Sequence, residues 1–122
     1  MFYSLLCVEL AAQGIDSQSF APADMILTGD ATPLHVRKEL AAAYPTVRFH
    51  NIYGCTETND SFIYSCSSDA VAAMETLPIG TPIDGTRYRV VDESGLDLDG
   101  EEEGLLHIST PFLSHGYTKS SL

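Results

Sequence analysis

The spacing of hydrophobic positions changes character along the chain, and each change marks an element. Between Ser4 and Gln13, Leu5, Leu6, Val8 and Leu10 stand among Ala and Glu, which predicts a short helix stopped by Gly14. Met25 to Thr28 is a short apolar run ahead of Gly29, the pattern of a buried strand entering a tight turn. Thr32 is placed to cap a helix with Pro33 at its first position, and Leu34, Val36, Leu40 and Ala43 recur at helical intervals until Tyr44 and Pro45. Val47 to Ile52 predicts the next strand. Strand, helix and strand with short connections form the crossover unit of a parallel sheet covered by helices, so the predicted class is α/β.

From Thr81 the texture becomes β-rich: Arg87 to Asp92, a turn at Glu93-Ser94-Gly95, and Gly104 to Thr110, with an acidic hairpin between. We expect an α/β subdomain over residues 1–76 and a β-rich segment over 77–122, incomplete at Leu122. In parallel sheets ligands bind beyond the carboxyl ends of the strands. The segments after Thr28 and after Ile52, each a glycine-containing turn, are therefore expected side by side at one edge of a crevice.

Composition narrows the function classes. With 122 residues, 44% apolar and 19% charged, the chain is expected to fold around a modest core. A net charge of −11 with six basic residues argues against nucleic acid as a partner, because tracking a phosphate backbone needs clustered Lys and Arg. Asp97, Asp99, Glu101, Glu102 and Glu103 carry part of that charge and read as a solvated turn. Cys7, Cys55 and Cys66 form no C-x-x-C and have no matching histidine spacing, which indicates neither disulfides nor zinc and suits a reducing, cytoplasmic setting. His35, His50, His107 and His115 are scattered and read as surface or packing residues. Met1 to Ala12 lacks a basic start and contains Glu9, and no run approaches the roughly 18 apolar residues of a membrane span, so no membrane partner is expected.

The candidate chemistry sits in Asn51-Ile52-Tyr53-Gly54-Cys55-Thr56-Glu57-Thr58. Asn51 can pair with a base edge, Tyr53 offers a stacking face, Thr56 can donate to a phosphate oxygen, and Glu57 can hold a magnesium ion. Gly54 allows a close backbone approach.

This segment resembles the motif of the adenylate-forming ligases, an aromatic residue followed by Gly-x-Thr-Glu, and in amino-acid-specific members Asn-x-Tyr-Gly-Pro-Thr-Glu. Asn51 to Glu57 matches except at Cys55, where those members usually have proline. Leu77-Pro78-Ile79-Gly80-Thr81-Pro82 follows in the family's order and is similar to the segment that opens its β-rich part. Glu103 to Ile108 and His115-Gly116-Tyr117 resemble its Gly-Glu-Leu-x-Ile to Arg-Gly-Tyr stretch, with Leu105 for the usual glutamate and His115 for the usual arginine. Thr28-Gly29-Asp30 has the wording of the family's ribose motif, but it precedes Tyr53 and so corresponds to the turn that lies against adenine.

The resemblance, closest to the adenylation domains of nonribosomal peptide synthetases, implies a flavodoxin-like parallel sheet with flanking helices followed by the start of a distorted β-barrel. It implies ATP and Mg2+, an amino-acid substrate, a peptidyl carrier protein as partner, and the rest of an adenylation domain. Gly29, Asp30, Asn51, Tyr53, Gly54 and Thr56 would face ATP, Thr56 and Glu57 would serve the chemistry with Glu57 on the metal, and Ile26, Thr28, Ile52, Asp60 and Ser61 would line the side-chain pocket. A carboxylate at Asp60 would favour a cationic or hydroxyl-bearing substrate. The family's lysine-bearing phosphate loop, ribose aspartate and C-terminal lysine domain are missing from the sequence, so these residues alone are expected to be inactive. A stand-alone acyl or aminoacyl carrier-protein ligase and a non-catalytic scaffold are the alternatives.

Overall fold

The computed structural model describes residues 22–100 and 102–117, so the helix expected at Ser4 to Gln13 lies outside the described residues. The elements are β1 (Asp24–Leu27), α1 (Leu34–Ala43), β2 (Arg48–Cys55), β3 (Asn59–Ser67), α2 (Ser68–Ala73), β4 (Thr81–Pro82), β5 (Arg87–Val91) and β6 (Leu105–Ser109). β1, β2, β3 and β4 form a four-stranded sheet in that order, and β5 and β6 form a two-stranded one. The class is α/β with a mixed sheet, since β4 runs antiparallel to β3 with Phe62 opposite Pro82 and Ile63 opposite Thr81. The chain divides into two compact units, residues up to His50 with Ser65–Leu77, and Asn51–Tyr64 with the residues from Pro78 onward.

In the first unit, α1 buries Arg37, Leu40 and Ala41. Leu40, Ala41, Leu27, Tyr44, Val47, Phe49 and Val71 make one apolar core, with Met25, Val36, Ala43, Cys66, Ala72 and Leu77 packed against it. The expected Thr32 cap is not formed. Pro33 occupies the cap position with an extended ψ of 146° and no side-chain cap bond, so the helix starts at Leu34, and Thr32 instead gives its carbonyl to Arg37 Nε at 3.0 Å. The C-terminus is as read: the Tyr44 amide bonds the Leu40 carbonyl at 2.9 Å, and Pro45 cannot continue the helix.

Arg37 is the least expected member of this interior. Its side chain is 2% exposed, and the guanidinium donates to Val71 O and Met74 O from Nη1, both at 2.8 Å, and to Glu75 O from Nη2 at 2.7 Å. Val71 lies in the last turn of α2, Met74 is its C-cap and Glu75 follows, so one cation on α1 donates to carbonyls gathered at the negative end of that short helix. At its other end α2 is capped by the Ser67 hydroxyl, which accepts from the Ala70 amide at 3.3 Å, and the buried Ser68 hydroxyl donates to Tyr44 O at 2.6 Å. Across the same unit His50 on β2 reaches Asp24 on β1 (Nε2 to Oδ1, 2.9 Å) and Ser65 on β3 (Nδ1 to Oγ, 2.8 Å), linking three neighbouring strands.

In the second unit β5 and β6 pair from Arg87 opposite Ser109 to Val91 opposite Leu105, close to the strands the alternation predicts. The turn after β5 is held by Asp92, whose Oδ1 accepts from the Ser94 amide (2.8 Å), the Ser94 hydroxyl (2.7 Å) and the Leu96 amide (2.9 Å). The Ser94 hydroxyl and these amides hold the Asp92 carboxyl below its ordinary value of 3.8. A depressed carboxylate contributes above its unfolded value and loses that contribution as pH falls through the folded one. The Ser94 and Leu96 amides are therefore expected to stay protected from hydrogen exchange at pH 5 to 7, to lose protection below roughly pH 4, and to be unprotected throughout in Asp92→Ala. Equal protection in wild type and Asp92→Ala would show that the turn does not depend on this carboxylate. Asp97 in the acidic run pairs with Arg89 at 2.6 Å on the surface, as a solvated turn should.

Candidate functional site

The Asn51 to Glu57 segment is not the glycine turn the sequence suggested. β2 runs straight through Gly54 to Cys55, and the reversal is made by Thr56, Glu57 and Thr58 before β3 begins at Asn59. The reason is packing of backbone on backbone. A Cβ on Gly54 would lie 2.1 Å from the Asn59 carbonyl oxygen, so the missing side chain lets the two strands close, and the left-handed residue of the reversal is Asn59 at φ 56°. The Thr58 amide bonds the Cys55 carbonyl at 3.2 Å, and the Cys55 thiol and Thr58 hydroxyl lie 3.1 Å apart. Cys55, in the proline position, thus ties the reversal through its side chain.

Alternation along β2 puts Asn51 and Tyr53 on one face. Tyr53 is 40% exposed and meets Phe62 edge-on (6.1 Å, 67°), and Phe62 meets Tyr88 in the same way (5.4 Å, 69°). Asn51 Nδ2 donates to Pro78 O at 2.8 Å, which ties the motif strand to the Leu77-to-Pro82 segment and leaves Oδ1 as an acceptor. Thr56 and Glu57 are exposed at the tip, and Asp60 is exposed at the start of β3.

Ser61 does not present its hydroxyl to a pocket. It is fully buried, and Oγ donates to Thr58 O (3.4 Å) and Asn59 O (3.3 Å), so the side chain supports the reversal from inside. Ile52 is half-buried. Ile26, Thr28, Gly29 and Asp30 stand at the end of β1 in the first unit, all exposed, with Gly29 at φ +94° and the Asp30 carboxylate accepting from the Ala31 amide at 2.7 Å.

The chain returns to the motif in a way the spacing did not reveal. Ser114 N donates to Glu57 O at 2.6 Å, and the Tyr117 hydroxyl donates to Glu57 Oε1. The Tyr117 hydroxyl chiefly, then the Glu57 amide and the Cys55 thiol, hold the Glu57 carboxyl below its ordinary value, while the same carboxylate raises the Tyr117 phenol. Glu57 is therefore an ionised, exposed carboxylate at neutral pH, tethered through one oxygen. Among the described residues no group of three or more His, Cys, Asp or Glu side chains could hold a metal ion, and no helix is long and apolar enough to cross a membrane.

Comparison with known proteins gives the same direction. Residues 2–118 match the family model described as AMP-binding enzyme. A D-alanine--D-alanyl carrier protein ligase of Bacillus velezensis is 32% identical over 90 residues, which are 73% of this chain and 18% of that protein. The crystal structure of CmiS6 superposes with a TM-score of 0.69 at 27% identity, covering 77% of this chain and 23% of that one. PA1221, a protein of nonribosomal peptide synthesis containing adenylation and carrier domains, shares the fold with a TM-score of 0.67 at 23% identity, covering 78% of this chain and 19% of that one. The chain thus spans about a fifth of the length of the proteins it matches.

Proposed function

This chain belongs to the AMP-binding enzymes, the adenylate-forming ligases, and from that premise we propose that it is part of an enzyme that activates an amino acid. The amino-acid carboxylate attacks the α-phosphate of ATP, the bond to pyrophosphate breaks, and the aminoacyl adenylate then passes its acyl group to a carrier-protein thiol. The observation that carries this reading is the β2–β3 reversal, which presents Thr56 and an ionised Glu57 at its tip beside the half-exposed ring of Tyr53.

The residues take roles that their geometry suits. Tyr53 stacks on the base with the ring surface not covered by Phe62, and Asn51 accepts from an exocyclic amine with the Oδ1 that Pro78 leaves free. By the family resemblance Gly29 and Asp30 would serve the base, and Gly54 keeps the hairpin closed. Thr56 donates to a phosphate oxygen. Magnesium is commonly held through one or two carboxylates together with substrate phosphates, so a single exposed carboxylate fits it, and Glu57 offers the oxygen that Tyr117 does not occupy. When bound, the ion would neutralise phosphate charge. Ile52 and the exposed Asp60 are the residues of this unit offered to the amino-acid side chain, with Ser61 acting only through the backbone it supports.

Amino-acid-dependent ATP–pyrophosphate exchange, measured on the full-length polypeptide that carries this chain, tests the reading. Glu57→Gln keeps the shape and removes the charge, and is expected to lower exchange by about 100-fold. No exchange with any amino acid from a folded protein would overturn the proposal in favour of a non-catalytic scaffold. The 32% identity to a D-alanyl carrier protein ligase favours a second reading, a stand-alone ligase that loads a separate carrier. Loading of a separately purified carrier protein, with no carrier domain in the same polypeptide, is the result expected of that reading.

A further inference from the structure

We propose that Tyr117 is a positioning residue for Glu57: its hydroxyl fixes one carboxylate oxygen so that the other faces the metal–nucleotide site. The inference rests on the function proposed above. It starts from how the segment after β6 is built. Thr110 is buried and anchors it, its Oγ1 accepting from the Phe112 amide at 3.2 Å and its carbonyl from the Leu113 amide at 3.3 Å. Ser114 then bonds the backbone of Glu57 through its amide and accepts from the Gly116 amide at 3.1 Å through Oγ. Gly116 at φ +108° takes a backbone conformation that side chains disfavour, and the next residue, Tyr117, places its hydroxyl on Glu57 Oε1.

Two bonds to the same residue, one to its carbonyl and one to its carboxylate, are made three positions apart in one segment. The backbone bond sets where Glu57 stands, and the phenol sets which way its side chain points. Tyr117 is 76% exposed, so burial gives it no place in the core, and its partner is the one charged group of the reversal. An ionised carboxylate has two oxygens and about four acceptor positions, so the phenol bond leaves the second oxygen able to ligate. A freely rotating glutamate would have to be ordered each time a metal–nucleotide complex bound. The tether does that ordering in advance, as outer partners of metal ligands do.

The test is binding rather than turnover: Mn2+ uptake by the full-length protein in the presence of a non-hydrolysable ATP analogue, followed by the paramagnetic resonance of free Mn2+. Tyr117→Phe, which removes only the hydroxyl of an exposed ring, is expected to weaken Mn2+ binding by about tenfold, while a purely structural role would leave it unchanged. Glu57→Gln is expected to weaken it at least as much, and Tyr117→Phe added to Glu57→Gln to do nothing further. Wild-type binding in Tyr117→Phe, with binding lost in Glu57→Gln, overturns the positioning role and leaves the metal role of Glu57 standing. Wild-type binding in Glu57→Gln overturns the metal role itself.

Discussion

Replacing Arg37 by methionine will lower the unfolding free energy of the chain by about 3–5 kcal/mol, although methionine suits a helix and fills similar volume. The loss comes from what the guanidinium leaves behind. Val71, Met74 and Glu75 each offer it a carbonyl between 2.7 and 2.8 Å; the bond to Val71 is buried and those to Met74 and Glu75 are part-buried, so water can replace the guanidinium only in part. An acceptor buried without a donor costs about 1–3 kcal/mol, and hydrogen bonds to a charged donor are worth more than neutral ones. Arg37→Lys keeps the charge but offers a point donor where three carbonyls and Thr32 O surround a planar fork, so it should recover only part of the loss. Urea unfolding of the variants decides the matter: a midpoint for Arg37→Met equal to wild type would mean that these bonds are offset by the cost of burying the cation.

Arg37 also shows where the sequence was readable and where it was not. The period of Leu34, Val36, Leu40 and Ala43 located α1 to within a residue, because burial of an apolar stripe against a sheet leaves that spacing. The same period puts Arg37 three residues from both Leu34 and Leu40, on the inward side, and a cation there was the available sign of a buried polar partner. What could not be read was the partner, three carbonyls between 34 and 38 positions away. β3 and α2 were missed for a related reason: Ser61, Ser65, Ser67 and Ser68 interrupt the apolar pattern, yet two of them are buried against carbonyls. The motif from Asn51 to Glu57 was legible as chemistry because it is contiguous. Its closure by Ser114 and Tyr117 was not, since a contact 60 positions away leaves no local spacing.

The hairpin that carries the motif offers the other large effect. Gly54→Ala adds one methyl, and at most surface strand positions that change is worth a few tenths of a kcal/mol. Here the methyl would stand 2.1 Å from Asn59 O, 2.7 Å from Asn59 C and 2.8 Å from Asp60 Cα. All three are main-chain atoms, so no side chain can swing away, and relief requires β2 and β3 to part at the reversal. Parting them breaks the Thr58-to-Cys55 turn bond at 3.2 Å and moves the Glu57 carbonyl from Ser114. We expect Gly54→Ala to cost about 3 kcal/mol or more and to abolish exchange even where the protein remains soluble. Gly29→Ala is the control: Gly29 also has a conformation that side chains disfavour, at φ +94°, but nothing lies within 4 Å of its Cβ position, so the cost should stay near 1 kcal/mol. If the two alanine variants unfold at the same urea concentration, close packing of the strands is not what demands glycine at position 54. If Gly54→Ala unfolds far earlier, the glycine of the motif serves the hairpin before it serves any ligand, and the nucleotide-facing residues depend on that closure for their placement.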